Sequence, residues 1–190
     1  MFDAIFAVIS QFITISPELQ SDLDSKLKTG TYTKRSHLLK QGQVSNYLYF
    51  VTKGLLRAYC INDAGDEVNS WFMKENDFLI SVLSFYSRLP SQESIEVLED
   101  CEVIFIHHDD LKELYNKHTE FNIVGRRLTE RYYCQSELRL SFMRGLSAGY
   151  RYKMLLQNYP ELVKRVPSKY IASYLGMTVY TLSRMRKAVK

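Results

Sequence analysis

The first pattern along the chain is helical. Phe2, Ile5, Phe6, Ile9, Phe12 and Ile13 recur at three- and four-residue spacing, which predicts one apolar face of a short helix over residues 2–13. Ser16-Pro17-Glu18 then reads as a cap, a proline at the first helical position and an acid in the first turn of a second helix. From residue 31 to 106 the texture changes. Short runs rich in β-branched and aromatic residues (47–52, 55–61, 67–72, 94–98, 101–106) alternate with turn signals at Gly42, Lys53-Gly54, Asn62-Asp63-Ala64-Gly65 and Glu99-Asp100. Strands at this spacing predict an antiparallel sandwich or roll. Residues 81–87, ending at Arg88-Leu89-Pro90, read as a short helical insertion between strands.

Beyond Ile106 the strand signals stop. Residues 109–116 predict a short helix, and Thr119 can cap a much longer one running to about Arg144. Along it Val124, Leu128, Arg131, Gln135, Leu138 and Phe142 step by four and three, the heptad seam that two helices bury against each other. A helix packed on its own domain would show a broader apolar face, so the narrow stripe favours a dimer seam, with Arg131 and Gln135 as polar occupants that set register.

Residues 168–187 carry the densest pattern. Ile171, Ala172 and Leu175 face inward from one predicted helix, Leu182 and Met185 from the next, and Met177 plugs the turn between them. Gly176 can take the positive φ that a sharp helix–helix turn requires. Thr178 caps the second helix and leaves Val179, Tyr180, Ser183, Arg184 and Lys187 outside. This is a helix-turn-helix, whose second helix enters the major groove. An ordinary helical hairpin would explain the apolar positions but not the basic, nearly acid-free outer face. Arg184 is the candidate for a guanine contact, bonding O6 and N7 together. Val179 and Tyr180 suit thymine methyls or sugars, while Lys169, Thr178, Ser183 and Lys187 suit phosphates.

Charge sharpens this picture. The net charge is +4, but residues 146–190 hold nine Lys/Arg and one acid, Glu161, so the body of the chain is acidic. A basic segment behind an acidic body is the footprint of a piece that meets phosphate backbone. With 190 residues, 46% of them hydrophobic and 24% charged, the chain is an ordinary globular one, long enough for one substantial core or two small domains. No apolar run reaches the roughly 18–20 residues of a membrane span, and the N-terminus lacks a basic signal region. Cys60, Cys101 and Cys134 sit in no metal or disulfide spacing, so a cytoplasmic location without cofactor is expected.

The order of β-roll, long helix and helix-turn-helix resembles the cyclic-AMP receptor protein/Fnr (Crp/Fnr) family of bacterial transcription regulators over nearly the whole chain. The residues carrying it are Gly42, Tyr49-Phe50-Val51 with Gly54, Asp63-Ala64-Gly65-Asp66-Glu67, Asn76-Asp77-Phe78, Ile171-Ala172 with Leu175-Gly176, and Thr181-Leu182-Ser183-Arg184. The resemblance implies an α+β fold in three parts. These are a cyclic-nucleotide-binding-like β-roll over 1–118, a dimerisation helix over 119–145 and a helix-turn-helix domain over 146–190. The chain stops three residues after Lys187, so a full β-wing is not expected. The resemblance further implies a homodimer on a pseudo-palindromic double-stranded DNA operator, with RNA polymerase as a further partner. Arg184 falls on the family's base-reading arginine, whereas Tyr180 replaces an acidic base reader.

Members that bind cyclic nucleotide carry Gly-Glu and Arg-Ser pairs where this chain has Ile80-Ser81 and Ser91-Gln92. The resemblance therefore predicts no binding of cyclic AMP in the family's manner, the charge-assisted bonds to its phosphate being absent. Ser81, Ser84, Gln92 and Ser136 are the residues placed where the family pocket would be, for an unknown effector or none. Arg88, nearby, reads as a solvated charge at the insertion tip, and a hinge is expected near 145–149. An iron–sulfur sensor lacks its cysteine cluster. For a haem sensor His37, His107, His108 and His118 are available, but nothing singles one out. A cupin-type metalloenzyme needs converging histidines, whereas adjacent His107 and His108 point to opposite faces of a strand. With no nucleophile or nucleotide motif present, the chain is read as a non-enzyme. The alternative to a regulator is a β-roll sensor or scaffold that binds a small molecule or a protein without specific DNA binding.

Overall fold

A computed structural model describes residues 2–188. In chain order its elements begin with helices α1 (Asp3–Ile9) and α2 (Pro17–Lys26), then strands β1 (Lys28–Tyr32), β2 (His37–Leu39), β3 (Tyr47–Ile61), β4 (Glu67–Met73) and β5 (Phe78–Leu79). Helix α3 (Val82–Ser87) interrupts the strands before β6 (Ser94–His107). The rest is helical: α4 (His108–Lys117), α5 (Phe121–Gly145), α6 (Ala148–Asn158), α7 (Pro160–Arg165), α8 (Ser168–Tyr174) and α9 (Val179–Ala188). The sheet has the order β1-β6-β3-β4, with β2 also on β6 and β5 on β3. The pairings of β1 and β2 with β6 and of β5 with β3 are all antiparallel.

Two expected turns are not turns. Lys53-Gly54 lies inside β3 and Glu99-Asp100 inside β6, so the four short runs merge into strands of 15 and 14 residues. The reason is a close crossing. Gly54 has φ +103°, and a Cβ there would lie 2.4 Å from Cys101 Sγ and 2.6 Å from the Asp100 carbonyl oxygen. Glycine bends β3 against its neighbour without breaking it. Gly65 (φ +83°) does make the expected hairpin turn, where the Asn62 side chain accepts the amides of Ala64 and Asp66. Helix α1 stops at Ile9, short of the expected 13, but Phe12 and Ile13 still pack on the core.

The chain divides into two compact units. Among the described residues, one comprises 2–58 and 72–130, the other 59–71 and 131–188. In the first, Ile5 and Ile9 of α1, Leu19 and Leu23 of α2, Leu111 and Leu114 of α4, and Phe121 and Val124 of α5 share a core with Phe50, Ile104 and Ile106 of the sheet. Ser16 caps α2 through the Leu19 amide at 3.2 Å, as its sequence predicts. Asp22 of α2 bonds Lys117 (2.6 Å) and the buried His118 (2.7 Å), which pins α2 to the end of α4. Arg57 of β3, 1% exposed, is paired with Glu96 of β6 at 2.7 Å.

The long helix corrects the seam expected on it. Val124 is 2% exposed and belongs to the core just described, and Leu128 packs against it. That stripe is used inside the subunit, where tertiary packing claims the same three- and four-residue spacing a partner helix would use. Of the remaining seam residues, Arg131 and Leu138 are exposed, while Gln135 and Phe142 are half-buried. The free stripe of α5 is the neighbouring one: Ile123, Arg127, Glu130, Cys134, Leu138 and Ser141, all exposed.

The second unit gathers α6 to α9, the remainder of α5 and the tip of the β3–β4 hairpin. Its cohesion is polar as well as apolar. Ser173 of α8 accepts the Asn69 amide and donates to the Glu67 carbonyl, both at 3.0 Å. Arg139 of α5 donates to the carbonyls of Asn69 and Tyr174 and stacks 4.5 Å over the Tyr174 ring. Trp71 packs on Tyr132, 5.4 Å between ring centres. Helix α5 ends at Gly145 and α6 begins at Ala148, so the chain breaks helix where a hinge was expected. The expectation about a wing concerns the chain beyond α9 and falls outside the described residues.

Candidate nucleic-acid interface

Helix α8 ends by the route its sequence predicts. Gly176 takes φ +61°, its amide donates to the Ser173 carbonyl and that of Met177 to the Ala172 carbonyl. This paired closure satisfies the last carbonyls of α8 and turns the chain sharply. Thr178 then caps α9, its hydroxyl accepting the Thr181 amide at 3.1 Å and lying 3.0 Å from the Thr181 hydroxyl. Ile171, Ala172, Leu175 and Leu182 are buried, which locks the two helices at a fixed angle.

What remains outside is the predicted set. Val179 is 49% and Tyr180 74% exposed, and Lys169, Thr178, Ser183, Arg184 and Lys187 are exposed as well. No acid occurs in α8 or α9. Thr178 is already engaged, since its hydroxyl serves as the cap, and the Lys169 ammonium lies 5.9 Å over the Tyr170 ring. Arg186, not among the candidates, turns back to bond the Ser168 hydroxyl at 2.6 Å. The partial positive charge at the start of a helix adds to the cations on this face.

The candidates for a ligand pocket are arranged differently. Ser81 caps no amide with its side chain; its hydroxyl lies 2.9 Å from that of Ser91. Ser91 is bonded in turn to the Glu93 carbonyl and amide. Ser84 donates to the Leu89 carbonyl at 2.5 Å and accepts the Ser45 amide at 3.0 Å. Gln92 is exposed, and Ser136, on α5, belongs to the other compact unit. Arg88 is not a loose solvated charge. It closes α3 in a left-handed conformation and donates to the carbonyls of Ser45 (2.8 Å) and Phe85 (3.1 Å) and to Asn46.

The histidines and cysteines find local roles. His107 caps α4 through the Asp109 amide, and His108 bonds the Asp109 carboxylate and packs on the Phe85 ring. His108 thus opens a helix rather than lying in a strand beside His107. Cys101 lies buried in β6, and no cluster of His, Cys, Asp and Glu suited to a metal occurs among the described residues. Residues missed in the sequence are Ser173, Arg139 and Trp71, which knit the second unit, and the pair Arg57–Glu96. Only Arg57 had a signal, a charge inside an otherwise apolar strand run.

Comparison with known proteins follows this geometry. Residues 29–118 match the family of the cyclic nucleotide-binding domain. FixK2 from Bradyrhizobium japonicum superposes with a TM-score of 0.74 at 18% identity, over 86% of this chain and 84% of that one. The c-di-GMP responsive global regulator CLP of Xanthomonas campestris gives 0.71 at 15% identity, over 92% and 91% of the two chains. A protein from Eubacterium rectale assigned to the transcriptional regulators of the Crp/Fnr family gives 0.71 at 16%, over 91% and 82%. The chain has the Crp/Fnr fold. Its α+β class and the resemblance read from the motifs are thereby borne out. No curated protein sequence matches the chain significantly. No helix among the described residues is long and apolar enough to cross a membrane. The C-terminal helices α8 and α9 are consistent with the expected helix-turn-helix.

Proposed function

We propose that the chain is a DNA-binding transcription regulator that acts as a homodimer. The observation that carries the reading is the outer face of α9, where exposed Tyr180, Ser183, Arg184 and Lys187 stand on a rigid, acid-free helix. An internal helical hairpin has no need of such a face; a helix entering the major groove does. Arg184 reads a guanine, Lys169 and Lys187 hold phosphates, and Val179 and Tyr180 meet apolar edges. Two copies pair along the exposed α5 stripe from Ile123 to Ser141. Their recognition helices then stand about one DNA turn apart, ~34 Å, on a two-fold symmetric site.

The sensor domain does not take cyclic AMP in this reading. The hydroxyls of Ser81 and Ser91 are turned on each other, and Arg88 is spent on backbone carbonyls and Asn46. No cation is left at the insertion to meet a cyclic phosphate. Calorimetric titration with cyclic AMP should give no micromolar binding.

Selection of bound sequences from a random DNA pool tests the central claim. A two-fold symmetric motif is expected, with affinity that falls steeply with salt. Recovery of no motif, with binding indifferent to sequence, would assign the fold to a scaffold instead.

A further inference from the structure

In the second unit a cavity of about 110 Å³ opens between α5, α6, α8 and the end of the hairpin. Its walls are mainly apolar and include Met154 and the rings of Trp71, Phe142, Tyr159 and Tyr174, with the side-chain amides of Gln135 and Asn158 beside them. Two guanidinium groups also line it, those of Arg139 and Arg151. The Nε of each is buried and has no hydrogen-bond partner. Elsewhere on the two groups, Arg139 donates to the carbonyls of Asn69 and Tyr174 and is hydrogen-bonded to the Tyr174 side chain, over whose ring it stacks, and Arg151 donates to the Gly176 carbonyl at 3.3 Å. The lining contains no carboxylate.

Two permanent cations beside an apolar hollow, with buried N–H donors unspent, are a costly arrangement for a protein that leaves them so. An anion with an apolar body relieves it. We propose that this cavity is a binding site for a small aromatic carboxylate of the benzoate class. A carboxylate accepts from the Arg139 and Arg151 Nε–H groups in charge-assisted bonds, and a single ring lies among the aromatic walls. Size limits the choice. An apolar cavity of about 150 Å³ holds a benzene ring, so this somewhat smaller, open one takes one ring or a short branched chain and excludes a nucleotide.

The chain carries its own reporter. Trp71 is its single tryptophan and forms part of the wall. Benzoate is titrated into the full-length protein at constant ionic strength while Trp71 emission is followed. Benzyl alcohol (ring without charge) and acetate (charge without ring) serve as controls. A saturating change with benzoate at millimolar concentration or below is expected, with both controls roughly tenfold weaker or more. Arg151→Gln should weaken benzoate at least tenfold and leave the melting temperature nearly unchanged, and Met154→Phe should fill the hollow and abolish binding. If Arg151→Gln does not fold, Arg151→Lys and Met154→Phe are read by saturation-transfer NMR of benzoate instead. The proposal is overturned by a non-saturating response, by equal binding of benzyl alcohol, or by benzoate affinity unchanged in Arg151→Gln. Because Tyr174 and Leu175 of α8 form one wall, occupancy bears on the helix-turn-helix; that consequence rests on the DNA-binding reading, whereas the titration stands without it.

Discussion

Replacing Arg184 with alanine separates base reading from every other role this surface could have. Arg184 is exposed and no hydrogen bond or ion pair holds it among the described residues. Its five donors are therefore all available, and its removal takes nothing from the fold. Stability should stay within about 0.5 kcal/mol of the parent, the range for a surface site without partners. Bound to DNA, a bidentate contact to one guanine is worth about 1–3 kcal/mol, or roughly 5- to 150-fold in affinity for the selected operator. The discriminating part is how the loss is distributed. Fluorescence anisotropy is measured with the operator, with an operator carrying a substituted guanine, and with unrelated DNA, each across a salt series. Arg184→Ala should lose affinity for the operator, lose little for unrelated DNA, and no longer distinguish the substituted base. Arg184→Lys keeps the charge but not the planar fork, so it should keep the salt slope and still lose the discrimination. Equal losses on all three DNAs would show that Arg184 meets a phosphate. No loss on any would refute the placement of α9 in the groove.

Three further outcomes follow from particular contacts. Gly54→Ala forces a Cβ to 2.4 Å from Cys101 Sγ at φ +103°, so it should destabilise the protein by roughly 1–3 kcal/mol or more in denaturant melts; a neutral result would contradict the close β3–β6 crossing. The carboxyl of Asp22 is held below its ordinary value by hydrogen bonds from Lys117 and His118. A depressed folded pKa means stability present above the unfolded value of about 4 and lost as pH falls through the folded one. Asp22→Asn should therefore flatten the acid side of a melting-temperature profile, and an unchanged profile would discount the contact. Cys134 is exposed on the α5 stripe assigned to the partner. In a parallel, in-register pair each stripe residue faces its own counterpart. Mild oxidation should thus give a cross-linked species of twice the mass, absent in Cys134→Ser; a non-cross-linking dimer would move the interface elsewhere.

The parts of the fold that could be read in the sequence are those whose signals are local. The Ser16-Pro17 cap, the hairpin turn at Gly65, the Gly176 closure and the Thr178 cap each depend on a few consecutive residues, and each is found where its chemistry points. The misreadings share a different cause. Lys53-Gly54 resembles a turn, yet the glycine is there because Asp100 and Cys101, far along the chain, pass within touching distance. The stripe through Val124 and Leu128 has the spacing of a dimer seam because an intramolecular core asks for the same spacing. Arg88 looked solvated because its acceptors at Ser45 and Asn46 lie over forty residues away. On the outer face of α9, pattern alone sufficed to say which side chains stand exposed.

The bonds from Ser173 to the hairpin determine how the molecule can be cut. A fragment starting at residue 131, or at 146, would carry α8 and α9 and yet leave behind Glu67, Asn69 and Trp71. Severed from them, α8 would present an unsatisfied hydroxyl and a bared flank where a β-ribbon had lain. The smallest portion that keeps these contacts is thus discontinuous in sequence, and a truncated version should be made by splicing residues 59–71 back in rather than by trimming from the front.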